Sequence, residues 1–229
     1  MATPSRPAVD LYRGRPAGTI ALYRPAEVAR YVGVPKATLR AWFFGQRGFK
    51  PVLAPPEGGQ GCLSFTNLVE AHVLEALRRK HHLSLQKIRP ALQYLGKAFR
   101  SEHPLVDHKL RTDGLSLFVD RYGQLINATR QGQLAMMRIL EAFLERVEWG
   151  PGGAVARLYP FPRQGDVSGQ PRAVVIDPRV AMGRPVLAGT NIPALAVAQR
   201  WRAGEPLADL ARDYDRPAAE IEEAVRWAA

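Results

Sequence analysis

Lys36, Thr38 and Arg40 lie close together in an otherwise apolar stretch, and their donors suit phosphate oxygens and base edges. Ammonium and guanidinium groups make short, charge-assisted bonds to phosphate, and both also recognise guanine in a major groove. The other chemistry-bearing residues do not assemble into a reaction centre. His81 and His82 are adjacent and cannot share a helix face. His103 and His108 have only Glu102 and Asp107 nearby, so surface or capping roles are expected rather than a metal. Gly183-Arg184-Pro185 with Gly189-Thr190 is glycine-rich, but no Lys-Ser or Lys-Thr follows as in a P-loop. Asp213 and Asp215 read as a helix cap or solvated turn, and no Ser/His/Asp spacing stands out. The single Cys62 excludes an internal disulfide and a cysteine-rich zinc site. Binding is therefore expected, without catalysis, metal or cofactor.

The frame that must hold these cations runs from Pro25 to Trp42. Two short helices can cross tightly if a small residue stands where they touch, and Ala29 supplies it. The turn between them needs positive φ, which Gly33 tolerates. Val28, Val32, Val34, Leu39 and Trp42 have the spacing of a compact apolar seam, and with Leu39 and Trp42 inside, Lys36, Thr38 and Arg40 are left outward. The start of the second helix would then face a major groove.

Further along, apolar spacing predicts helices over residues 66–81 and 84–96 and another over 132–149. Residues 115–119 and 125–128 flank Asp120-Arg121-Tyr122-Gly123-Gln124, the pattern of a β-hairpin. Short strands are expected at 155–160 and 173–176, and three helices at 193–203, 206–214 and 217–228. Residues 1–19 read as a flexible basic arm and 161–172 as a linker or loop. Residues 20–100 and 173–229 are thus two modules, with 101–160 between them, a hairpin and helix of unassigned role.

Charge separates the modules. Residues 1–100 hold 16 of the 32 Lys and Arg but 5 of the 21 Asp and Glu, so the whole net charge of +11 resides there. Such asymmetry points to a polyanionic partner, because cations that neutralise phosphates release condensed counterions. No long apolar run or leader-like start is present, and a cytoplasmic protein without a membrane segment is expected.

The segment VARYVGVPKATLRAWFFGQRGF, followed by CLSFTNLVEAHVLEALRRKHHLSLQKIRPALQYL, resembles the MerR-type winged helix-turn-helix. The resemblance implies that Lys36, Thr38, Arg40 and Trp42 stand where that family contacts DNA, with Arg47 and Lys50 flanking the wing. Gly61-Cys62-Leu63 replaces the family's usual Gly-Tyr-Arg at the wing's end, so wing contacts would fall to the backbone or to Arg47 and Lys50. No long heptad helix follows Leu95, which disfavours effector-sensing activation.

Residues 173–229, with Gly183-Arg184-Pro185, Gly189-Thr190 and Ile192, resemble a small domain found in VapB-like antitoxins, although Asn191 stands where that family usually has Arg. Glu220, Glu222 and Glu223 on its last helix would repel phosphate, so this unit reads as a packing or dimer module, with Trp201 and Trp227 at the seam. The overall expectation is a mainly α fold with small β elements: a MerR-like winged helix-turn-helix plus a helix-turn-helix-like C-terminal domain. Together the resemblances imply a VapB-type antitoxin that binds a double-stranded operator as a homodimer and neutralises a PIN-type ribonuclease toxin. Such toxins cluster carboxylates that attract Arg. Two segments could meet them: the arm with Arg6, Arg13 and Arg15, or, preferred, the loop region with Arg157, Arg163 and Arg172. The alternative is a stand-alone MerR-like transcription regulator whose C-terminal unit only dimerises.

Overall fold

The computed structural model describes residues 12, 14–81, 85–161 and 169–228, so Arg6, Arg13 and Arg163 lie outside the described residues. Helix α1 (Pro25–Val32) opens on a proline, which has no N–H to lose in the first turn. It closes at Gly33, whose φ of 72° is left-handed. The Val34 N–H then reaches back to the Ala29 carbonyl at 2.9 Å, and the chain enters α2 (Lys36–Phe44) at the next turn. Val28, Ala29, Val32, Val34, Leu39 and Trp42 are all buried, as their spacing predicts.

After α2 the wing is reduced to single bridges. Gln46 pairs with Phe49 across a tight turn, and Leu63 pairs with Tyr23. The Trp42 carbonyl accepts the N–H groups of Val52 and Leu53 at 2.8 and 3.0 Å, tying this segment to the end of α2. Helices α3 (Phe65–His81) and α4 (Leu85–Phe99) follow.

The first part of α3 is the centre of the protein. Phe65, Leu68, Val69, Val73 and Leu74 are fully buried, and so are Asn67 and Glu70. The buried Asn67 amide is satisfied locally: it donates to Ala54 O at 2.9 Å and to Glu70 at 3.0 Å, and accepts from the Ser64 hydroxyl at 3.0 Å.

The expected hairpin at 115–119 and 125–128 is instead one helix, α5 (Leu115–Ile126). Leu115, Phe118, Val119 and Tyr122 fall on one face and are buried, and the area gained by that stripe outweighs the local turn signal around Gly123. Helix α6 (Arg130–Leu144) starts at Thr129, whose hydroxyl accepts the Gly132 N–H. It was expected to continue to residue 149. It stops because β1 (Val147–Trp149) pairs antiparallel with β2 (Val155–Leu158).

A single core runs from Tyr23 to Ile176. Residues 101–160 therefore complete the N-terminal module rather than standing apart from it. Part of the expected arm also packs: the Thr66 hydroxyl donates to Gly18 O at 2.9 Å, and Tyr12 bonds Pro178 O.

The C-terminal unit contains the hairpin β3 (Val174–Val175) and β4 (Val186–Leu187), then α7 (Ala194–Arg202), α8 (Leu207–Asp213) and α9 (Ala218–Ala228) around a second small core. It is joined to the first by the Leu158–Ile176 bridge and by Trp227, whose ring lies 5.7 Å from that of Tyr31. Gly183 has φ 73°, and a Cβ there would stand 2.1 Å from the Tyr23 hydroxyl oxygen, so this glycine permits the close approach of the two units. No described helix is long and apolar enough to cross a membrane.

Candidate nucleic-acid interface

Lys36 and Arg40 are one helical turn apart on α2 and both are exposed, while Thr38 between them is half-buried. The Arg40 guanidinium carbon sits 5.6 Å from the centre of the Phe44 ring, which orients it along the helix surface. Arg47 is at the corner of the Gln46–Phe49 turn, whose two backbone bonds measure 3.1 and 2.7 Å. Lys50 follows directly and is exposed. The geometry thus brings Lys36, Arg40, Arg47 and Lys50 onto the helix and the loop that follows it.

Trp42 is corrected: it is fully buried and touches no solvent. The indole fills the seam between α1 and α2, so it belongs to the scaffold that holds Lys36 and Arg40 outward rather than to a contact surface.

Ion pairing divides the chain sharply. Among the described residues, every Lys or Arg paired with a carboxylate does so with a partner at Glu148 or beyond, such as Arg157–Asp177, Arg200–Asp213 and Arg216–Glu220. Lys36, Arg40, Arg47 and Lys50 have no carboxylate partner among the described residues, and residues 28–56 contain no Asp or Glu at all. Exposed cations left uncompensated create the field that attracts phosphate.

Of the residues expected to meet a toxin, Arg157 and Arg172 are held by their own chain. Arg157 is on β2, bonded to Asp177 and Glu148 at 3.1 Å each. Burial works against the Asp177 carboxylate, but its bonds from Arg179 and Arg157 overcome this and keep it below the usual range. Arg172 donates to Glu145 O at 2.8 Å and lies over the Tyr159 ring.

Sequence reasoning missed two buried polar centres. His103 Nδ1 meets Glu70 at 3.1 Å, and that bond raises the imidazole pKa against the opposing effect of burial. The second is Arg146, only 4% exposed, which donates to the carbonyls of Tyr159, Pro160, Gln170 and Pro171. It thereby staples together the two ends of the 161–172 segment, and burial pushes its pKa down to about 10. A lone Asn or Glu within an apolar helical run was the available signal for the first; nothing in the local sequence marks Arg146.

The family model described as "Putative DNA-binding HTH domain" matches residues 21–92, which hold Lys36, Arg40, Arg47 and Lys50. The model described as "Protein of unknown function (DUF433)" matches residues 174–228, the second core. A protein of Mycobacterium tuberculosis named "Putative antitoxin VapB45" is 32% identical over 221 residues, covering 85% of this chain and 88% of its own length. The chain belongs to the VapB45 antitoxin family. A second relative in that organism, the uncharacterized protein Rv2308, is 26% identical over 222 residues, covering 90% and 89%. The crystal structure of Rv2018 from Mycobacterium tuberculosis matches with a TM-score of 0.68 at 28% identity, covering 90% of this chain and 98% of that one. Membership of the VapB45 family thus extends over both cores, and the helix-turn-helix is one part of a larger shared architecture.

Proposed function

We propose that the chain is a DNA-binding antitoxin that represses its own operon from a double-stranded operator and neutralises a PIN-type ribonuclease toxin. The observation that carries the DNA half is the carboxylate-free segment 28–56 with exposed Lys36, Arg40, Arg47 and Lys50, set against a C-terminal unit in which Arg179, Arg200, Arg212, Arg216 and Arg226 are paired with carboxylates of the same chain. Thr38 supplies a hydroxyl between the two helix cations. The toxin half is supported by relatedness to VapB45 along most of both chains.

Arg157, Arg163 and Arg172 remain the proposed toxin contacts. Binding there would require Arg157 to exchange Asp177 and Glu148 for toxin carboxylates. Two half-sites on DNA call for a homodimer. Trp227 is engaged on Tyr31, so the proposed seam moves to α7, where Trp201 is 43% and Leu195 37% exposed.

The test is co-expression with the neighbouring gene product, followed by gel shifts on the duplex upstream of the operon. The full chain should co-purify with the neighbour, suppress its ribonuclease activity and retard the upstream duplex. A chain that binds this duplex but captures no neighbour is a stand-alone regulator; one that binds no duplex loses the assignment.

A further inference from the structure

Helix α4 has an outward stripe that the helix-turn-helix does not use. Arg89, Gln93 and Lys97 repeat every four residues, with Tyr94 beside them, while Ile88, Ala91, Leu92 and Leu95 face inward and are buried. Over eight residues the stripe is about 12 Å long. Tyr94 is 40% exposed, and the Arg121 guanidinium from α5 lies 5.3 Å from its ring centre. Lys97 and Arg121 have no carboxylate partner among the described residues, and residues 76–101 contain no Asp or Glu. At the near end of the stripe, the Arg89 guanidinium bonds the backbone carbonyl of Lys50. The patch is thus physically continuous with the loop that carries Arg47 and Lys50.

We propose that the Tyr94, Lys97 and Arg121 patch is a second DNA-contacting surface, gripping phosphates that flank the stretch read by α2. This rests on the DNA-binding reading above. An uncompensated cationic stripe starting at the reading loop faces the duplex as it leaves the groove. A duplex carries about one charge per 1.7 Å of axis, so a stripe of this length passes several phosphates. Tyr94 adds a hydroxyl donor and an aromatic face against which the Arg121 guanidinium lies. These contacts carry no base information, so they add affinity and register without changing sequence preference.

The experiment measures the salt dependence of binding to a mixed-sequence duplex of about 30 base pairs, long enough to reach past the reading head. It compares the full chain with a Lys97→Gln, Arg121→Gln variant and a Lys36→Gln, Arg40→Gln variant, each shown to be folded by its melting temperature. Each phosphate contact contributes roughly 0.9 to the slope of log K against log salt. The α4–α5 variant should lose nearly two units of slope, and Tyr94→Phe should retain the slope while Tyr94→Ala weakens binding several-fold. If the α4–α5 variant keeps the full slope while the α2 variant loses it, the patch is not a DNA surface and the reading head stands. If the full chain binds no duplex at all, the DNA reading itself falls, and the patch with it.

Discussion

At the residue scale, contact and scaffold separate by burial. Trp42 is buried and Arg40 exposed, although they are two residues apart. Trp42→Ala should therefore cost about 3–5 kcal/mol of stability. Arg40→Gln should change stability by about 0.5 kcal/mol or less while weakening DNA binding. Urea melts combined with duplex titrations separate the two effects, and an Arg40→Gln chain that melts early but binds normally per folded molecule would reassign Arg40 to the scaffold. His103 supplies a pH dependence. Its pKa is raised in the folded state by the bond to Glu70, so folding is favoured while the imidazole is charged. That contribution is complete below the ordinary value near 6.5 and is lost as pH rises through the higher folded value. The stability gap between the native chain and His103→Gln should then shrink from pH 5.5 to pH 8.5 in urea titrations. A gap that is constant with pH would show that folding leaves the His103 pKa where it is in the unfolded chain.

At the element scale, the angle between α1 and α2 depends on a left-handed residue. A Cβ at Gly33 would meet nothing within 4 Å, so space is not the constraint; the φ of 72° is. Gly33→Ala should cost about 1–2 kcal/mol through backbone strain alone. Gly33→Asn should recover much of that, because Asn tolerates this conformation. Equal losses for Ala and Asn in chemical denaturation would mean that something other than φ is at stake. The same scale explains the corrected hairpin. Asp120-Arg121-Tyr122-Gly123 is a plausible turn in isolation, but Phe118 and Tyr122 stack at 5.7 Å on the buried face of α5, and that face needs α4 and α6 to cover it.

At the scale of the whole molecule, Trp227 packs against both cores. Trp227→Ala should remove the Tyr31 contact and loosen the C-terminal unit from the reading head. In calorimetry the expected result is a single transition splitting into two, with the helix-turn-helix transition little shifted and duplex affinity retained. One undivided transition at a much lower temperature would indicate instead that the two cores fold only together.

Local chemistry and periodicity sufficed for the reading pair, because Ala29, Gly33 and the five apolar residues around them act over less than twenty positions. They sufficed as well for the three C-terminal helices and for the division of charge between the two ends of the chain. Only tertiary packing decided that 115–126 is helical and that 101–160 shares the first core, because the surfaces that reward those choices come from distant helices. The staple at Arg146 is of the same kind: four carbonyls, from residues 159–160 and 170–171, converge on one guanidinium, and no local pattern encodes that meeting. Trp227 makes the point most directly. Its spacing on α9 marks an apolar face, but whether that face meets a second copy or Tyr31 of its own chain depends on how the two cores dock, and here it meets Tyr31.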